Sequence, residues 1–152
     1  MQNTSILLVE DNPDHEVLTI RALKKANVLN DIVVAHDGAE ALDLLFGAKG
    51  EPANSPAPMP QLILLDLKLP KVDGLEVLRR LRAEARTKLI PVVVLTSSDE
   101  EGDVVTSYKL GANSYVCKPV DFVQFMEATR QLGLYWLVLN ETPKAVNAAA
   151  GH

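Results

Sequence analysis

The sequence is poor in cysteine, in basic residues and in long apolar runs. It has one cysteine, Cys117, so no disulfide can form within the chain. It carries 15 Lys and Arg against 20 Asp and Glu, a net charge of −5, which leaves no basic excess for nucleic-acid binding. No apolar run approaches the roughly 18 residues of a membrane helix, and residues 1–4 show no signal-peptide pattern. We therefore expect no nucleic-acid or membrane partner, and a reducing cytoplasm as the location.

Short apolar runs alternate with longer stretches of helical character along the chain. The predicted strands are 5–9, 32–35, 62–66, 91–95 and 114–117, and the predicted helices are 13–26, 39–46, one beginning at Gly74, 99–110, and one from Phe122 to about Asn140. Asn12 before Pro13 is typical of a helix start. Since the strands lack polar alternation, we expect both faces of the sheet to be covered. This pattern predicts an α/β domain with a doubly wound, five-stranded parallel sheet.

The domain is expected to occupy residues 1–144, with an extended last helix and a flexible tail at 145–152. The stretch 47–60 contains four prolines and is expected to be a surface loop. We found no internal repeat, so a single domain is the expectation.

Polar residues end four of the predicted strands: Glu10 with Asp11, Asp66, Thr96 and Lys118. In a doubly wound sheet, ligands bind outside the carboxyl ends of the strands, so these residues should meet at one edge. Carboxylates about 4 Å apart repel by roughly 4 kcal/mol at an effective dielectric of 20, and Mg²⁺ is the oxygen-binding cation best suited to offset this. Asp66 would be a nucleophile that forms an aspartyl phosphate, with Thr96 and Lys118 stabilising the phosphoryl oxygens.

These motifs together resemble the receiver domain of bacterial two-component response regulators. The matching stretches are residues 6–12, 64–70 with Asp73 and Gly74, 95–97 and 115–119, and the resemblance covers about residues 5–140. It implies the flavodoxin-like, CheY-like (βα)5 fold with strand order 2-1-3-4-5. The stretch 47–60, the turn 112–115 and residues 134–136 further resemble the stand-alone regulators that partner bacterial phytochrome histidine kinases.

The resemblance also implies a role for each matching residue. Asp66 would be the phosphoacceptor, Asp11 the main carboxylate ligand of Mg²⁺, Glu10 a ligand acting mostly through water, and Lys68 a ligand through its backbone carbonyl. The residues implied for phosphate contact and switching are Thr96, Ser97, Tyr115 and Lys118, with a cis peptide bond between Lys118 and Pro119. Glu10 stands where the family more often has Asp.

The implied function is a phosphorelay receiver rather than a turnover enzyme. A histidine kinase would phosphorylate Asp66, and the phosphorylated chain would change a surface that binds a downstream protein. No output domain is expected, since one helix and a short tail follow Pro119.

The last predicted helix carries more apolar residues than one core stripe needs. Its predicted core stripe is Phe122, Phe125, Met126, Thr129, Leu132 and Trp136. Tyr135, Trp136 and Val138 form the expected partner face, which predicts a homodimer through this helix. Away from the helix, His15 is expected to be solvated and Cys117 to be a small buried hydrophobe.

Three other functions share features with this pattern. A dehalogenase-like phosphatase uses a similar Asp nucleophile, but its chemistry wants a second Asp where this chain has Lys68. A nucleotide or flavin binder would need a Gly-rich phosphate loop, and neither GxGxxG nor GxxxxGK[ST] occurs. An adaptor that no longer accepts phosphate is less favoured, because all the groups needed for acceptance are present.

Overall fold

The computed structural model describes residues 5–26, 28, 31–47, 59–96 and 106–131. The strands are β1 Ile6–Val9, β2 Ile32–Ala35, β3 Leu62–Asp66, β4 Val92–Thr96 and β5 Ser114–Cys117. The helices are α1 Pro13–Lys25, α2 Gly38–Phe46, α3 Gly74–Ala83, a helical segment α4 at 106–109, and α5 Phe122–Gln131. The predicted tail, residues 48–58 of the proline-rich loop, and Ser97, Tyr135, Trp136 and Val138 lie outside the described residues.

The five strands form one parallel sheet in the order β2-β1-β3-β4-β5, which confirms the predicted fold class and strand order. From β1 the chain crosses first to β2 on one side and then to β3 on the other. The crevice above the carboxyl ends of β1 and β3 is therefore the topological switch point, where doubly wound sheets bind their ligands.

Alternate residues of the central strands supply two separate cores. In β1, Ile6 and Leu8 pack on the face that also buries Phe125 of α5, whereas Leu7 and Val9 face the layer of α2 and α3. Because helices cover both faces, all four residues of β1 are buried. This accounts for the missing polar alternation in the sequence.

The edge strand β5 behaves differently, and one prediction is wrong there. Ser114 and Val116 are buried, but Tyr115 and Cys117 are exposed. Cys117 is thus not the buried hydrophobe that we expected, because one face of this edge strand is open.

The core stripe of α5 differs from the prediction at Met126, one of the three predicted positions whose side chains are described. Phe125 and Thr129 are buried as expected, and Ala128 is buried beside them, but Met126 is 39% exposed. The side chain of Phe122 is not among those described.

Local sequence features determine where the helices that border the switch point begin. The Asn12 side chain accepts hydrogen bonds from the backbone N–H groups of Asp14 and His15, at 2.8 and 3.2 Å, so Asn12 caps α1 as predicted. At the start of α3, a Cβ on Gly74 would lie 2.3 Å from the Asp66 carbonyl oxygen. The lack of a side chain at Gly74 therefore allows α3 to begin against the chain that leaves β3.

Candidate functional site

Three carboxylates meet at the switch point. Oxygens of Glu10, Asp11 and Asp66 lie within 4.8 Å of one another. Glu10 and Asp66 are buried, whereas Asp11 is exposed. Glu10 is fixed because its backbone N–H extends the β1–β2 ladder, donating to the Ala35 carbonyl oxygen at 2.9 Å. The predicted convergence of these acids from two strands is what the structure shows.

Lys118, which follows β5, is a buried cation inside this cluster. Its ammonium nitrogen lies 2.8 Å from Asp66 Oδ2 and 2.5 Å from Glu10 Oε1, and its side chain is 6% exposed. The Lys118–Pro119 peptide bond is cis, as expected from the resemblance. Lys118 therefore offsets part of the charge of the two buried carboxylates.

Glu10 is the group that the site perturbs most clearly. Burial raises its pKa to about 7, an effect that the hydrogen bond from Lys118 opposes and the nearby charge of Asp66 reinforces. Asn12 stabilises the other oxygen, since its backbone N–H lies 3.2 Å from Glu10 Oε2. A positive charge brought close to Glu10 would favour its ionised form.

The residues present fit a divalent cation. Lys118 is close to Glu10 Oε1, but this buried oxygen accepts no well-directed hydrogen bond from the described residues. Exposed Asp11 completes a set of three carboxylates whose oxygens lie within 4.8 Å of one another. Carboxylate oxygens are the ligands that Mg²⁺ and Mn²⁺ prefer.

Asp66 is held by the chain that follows it. The backbone N–H of Lys68 donates to Asp66 Oδ1 at 3.1 Å, and the Gly74 N–H donates to the Leu67 carbonyl oxygen at 3.1 Å. The backbone of Lys68 therefore lies beside Asp66, at the position where we predicted a carbonyl ligand for the metal.

The structure describes only part of the predicted switch. Thr96 ends β4 and pairs in register with Cys117 of β5, but its side chain is not among those described, and Ser97 lies outside the described residues. Tyr115 is 40% exposed and meets Tyr108 edge-on, with their ring centroids 6.0 Å apart. In this conformation Tyr115 faces outward from the sheet.

His15 is the residue of the site that sequence reasoning missed. Its Nδ1 atom lies 3.0 Å from Lys118 Nζ and 3.9 Å from Glu10 Oε2. The side chain is 38% exposed, so it is partly solvated as expected, but its contact with Lys118 was not predicted. The available signal was its place in the first turn of α1, three residues after the Asn12 cap and next to the carboxyl end of β1.

The fold and the site together define a flavodoxin-like domain with a cluster of three carboxylates and a buried lysine at its switch point. Residues 6–130 match the model of the response regulator receiver domain family. The chain belongs to this family, and it is a phosphorelay receiver. Receiver domains generally do not act as turnover enzymes.

Relatives of the chain include phytochrome response regulators. It is 39% identical to the response regulator Rcp1 of Synechocystis sp. over 140 residues, which span 92% of this chain and 93% of Rcp1. The structure of the bacteriophytochrome response regulator AtBRR is 52% identical, with a TM-score of 0.78 over 93% of this chain and 100% of AtBRR.

Two other solved structures carry ligand or modification states. The Mn(2+)-bound form of Rcp1 is 40% identical, with a TM-score of 0.70 over 88% of this chain and 94% of that chain. The phosphorylated cyanobacterial phytochrome response regulator RcpA is 38% identical, with a TM-score of 0.70 over 92% of this chain and 97% of that chain. No described helix is both long and apolar enough to span a membrane.

Proposed function

We propose that Asp66 is the phosphoacceptor of this receiver and that Glu10, Asp11 and Asp66 hold the Mg²⁺ on which the transfer depends. The observation that carries the proposal is the contact of Lys118 with Asp66 and Glu10 inside a three-carboxylate cluster. Asp66 is buried and lies at the end of the central strand β3.

The reaction is an in-line displacement at phosphorus. A carboxylate oxygen of Asp66 forms a new P–O bond as the P–N bond of a kinase phosphohistidine breaks, and the electron pair stays with the imidazole nitrogen of the kinase. Lys118 offsets negative charge on the phosphoryl oxygens. The Lys68 N–H holds the Asp66 carboxylate in place. Bound Mg²⁺ would supply further positive charge to the same oxygens.

The assignment can be tested with a small phosphoryl donor such as acetyl phosphate. With Mg²⁺ present, intact mass should show one added phosphoryl group, and a chelator should abolish the addition. Asp66→Asn should not be labelled, whereas Asp73→Asn, a control beyond the metal cluster, should be labelled like the wild type. Labelling of Asp66→Asn would show that the acceptor lies elsewhere.

Thr96 and Tyr115 form the proposed switch. Phosphorylation brings a charge of about −1.5 to −2 to the site, towards which the Thr96 hydroxyl would move. Tyr115 would then turn inward from its outward position on β5, and the contact with Tyr108 would be lost. This is a shift between two packings of the same chain. The supporting observation is the 40% exposure of Tyr115.

The proposed partners are a histidine kinase, a downstream protein and a second copy of this chain. Phytochrome response regulators among the relatives support a bacteriophytochrome as the kinase.

In the described part of α5, Val123 is 63% exposed beside Met126, which supports a dimer through the last helix. Sedimentation should show a dimer that Val123→Asp weakens, and a monomeric wild type would contradict it. The cytoplasmic location and the single-domain extent 1–144 stay predictions.

A further inference from the structure

The ammonium nitrogen of Lys118 has three polar neighbours within 3.0 Å. Two are the carboxylates of Glu10 and Asp66, and the third is Nδ1 of His15, at 3.0 Å. The first two belong to the proposed metal and phosphoryl chemistry. The third comes from a different element, the first turn of α1.

The contact fixes the form of the His15 ring. A lysine ammonium group has donors and no acceptor, so Nδ1 must offer its lone pair. A ring protonated on Nδ1 would place two N–H donors face to face at 3.0 Å, and the 3.9 Å to Glu10 Oε2 is too long for a hydrogen bond in compensation. In this arrangement His15 Nδ1 therefore acts as the acceptor in its contact with Lys118.

The backbone of His15 is part of the cap of α1. Its backbone N–H donates to Asn12 Oδ1 at 3.2 Å, and Asn12 Oδ1 accepts the Asp14 N–H as well. The helix cap thereby places the His15 backbone in the first turn of α1, five residues after Glu10.

We propose that His15 is a positioning residue that holds the Lys118 ammonium group in the site throughout the phosphorylation cycle. This inference rests on the proposed acceptor function of Asp66. When a cation binds Glu10 and a phosphoryl group occupies Asp66, both carboxylates lose charge density towards Lys118. His15 Nδ1 takes no part in either event. It therefore keeps its hydrogen bond with one N–H of Lys118, while the other two N–H groups turn to the phosphoryl oxygens.

The test uses two substitutions of similar shape. His15→Asn keeps an acceptor, since the Asn Oδ1 stands as far along the side chain as Nδ1, whereas His15→Leu removes it. In NMR spectra of the chelated protein, the ammonium protons of Lys118, assigned by their loss in Lys118→Met, should exchange with water about 10-fold faster in His15→Leu than in wild type. His15→Asn should restore slow exchange.

The second measurement is the rate of labelling by acetyl phosphate with Mg²⁺. We expect it to fall about 3- to 10-fold in His15→Leu and to stay near the wild-type rate in His15→Asn. If His15→Leu does not fold, His15→Ala takes its place.

The outcomes separate the two proposals. Equal ammonium exchange in the Leu and Asn variants would overturn the role of His15, and so would equal labelling rates in the two variants when the wild type is labelled. If the wild type is not labelled at all, the phosphoacceptor function fails, whereas ammonium exchange still decides whether His15 positions Lys118.

Discussion

Arg82, on α3, ties the starts of β4 and β5 together at the end of the sheet opposite the acidic site. Its Nε donates to the Gly111 carbonyl oxygen at 2.9 Å and its Nη1 to the Ile90 carbonyl oxygen at 2.8 Å. Its Nη2 donates to Asn113 Oδ1 at 2.8 Å, and the same oxygen accepts the Val92 N–H at 2.8 Å. One guanidinium therefore links three segments of the chain.

Replacing Arg82 with alanine should destabilise the fold by about 2–3 kcal/mol. A hydrogen bond to a charged group contributes about 1.5–3 kcal/mol, but water can reach some of the released carbonyls, so the losses should not add fully. Burial also lowers the pKa of Arg82, which means that its charge is partly desolvated, and this cost offsets part of the gain.

The matched control is Arg79→Ala on the same helix. Arg79 is exposed and pairs with Glu76 one turn earlier, a surface pair whose loss should cause little measurable change. Urea unfolding followed by circular dichroism gives the midpoint and slope for each variant. A midpoint for Arg82→Ala equal to that of Arg79→Ala, at an unchanged slope, would refute the role assigned to these hydrogen bonds.

Two further predictions concern the site. Burial raises the pKa of Glu10 to about 7, so in chelator the folded chain holds an extra proton between about pH 4.5 and 7. Up to about 3 kcal/mol of stability, present below this window, should be lost as the pH rises through it. Glu10→Gln should flatten this profile in urea titrations, and equal slopes with pH in both proteins would contradict it. Gly74→Ala should destabilise the fold by about 2–4 kcal/mol, because the new Cβ would lie 2.3 Å from the Asp66 carbonyl oxygen. A urea midpoint equal to that of Arg79→Ala would show that this clash does not occur.

The sequence was most informative where a strand ends. Runs such as 62–65 are apolar throughout because the structure covers both faces of β3, and Asp66 interrupts that pattern at the edge where ligands bind. The same reasoning located Glu10 with Asp11. Strand ends far apart in sequence converge because parallel strands share one direction, so the candidate site followed from the fold class.

What the sequence did not predict depends on contacts between distant elements. His15 meets Lys118 only through a side-chain contact between the first turn of α1 and the residue after β5, 103 residues away in sequence. The contacts of Arg82 could not be predicted for the same reason. Its partners lie in loops, and the pattern of apolar residues does not determine the path of a loop. Cys117 and Met126 were wrongly predicted to be buried. The edge strand β5 and the outer helix α5 each bury only one narrow side, and apolar composition alone does not show which side that is.

The charge of the site explains why the proposed transfer should depend on a cation. With all three carboxylates ionised, Lys118 leaves a net negative site, which repels a phosphoryl donor that is itself an anion. A divalent cation would bring the formal charge of these four side chains to zero. His15 Nδ1 adds an acceptor for Lys118 without the negative charge of a carboxylate, whereas a carboxylate at that position would leave the site negative even with the cation bound. An imidazole acceptor therefore suits a site that must hold its lysine and still admit an anion.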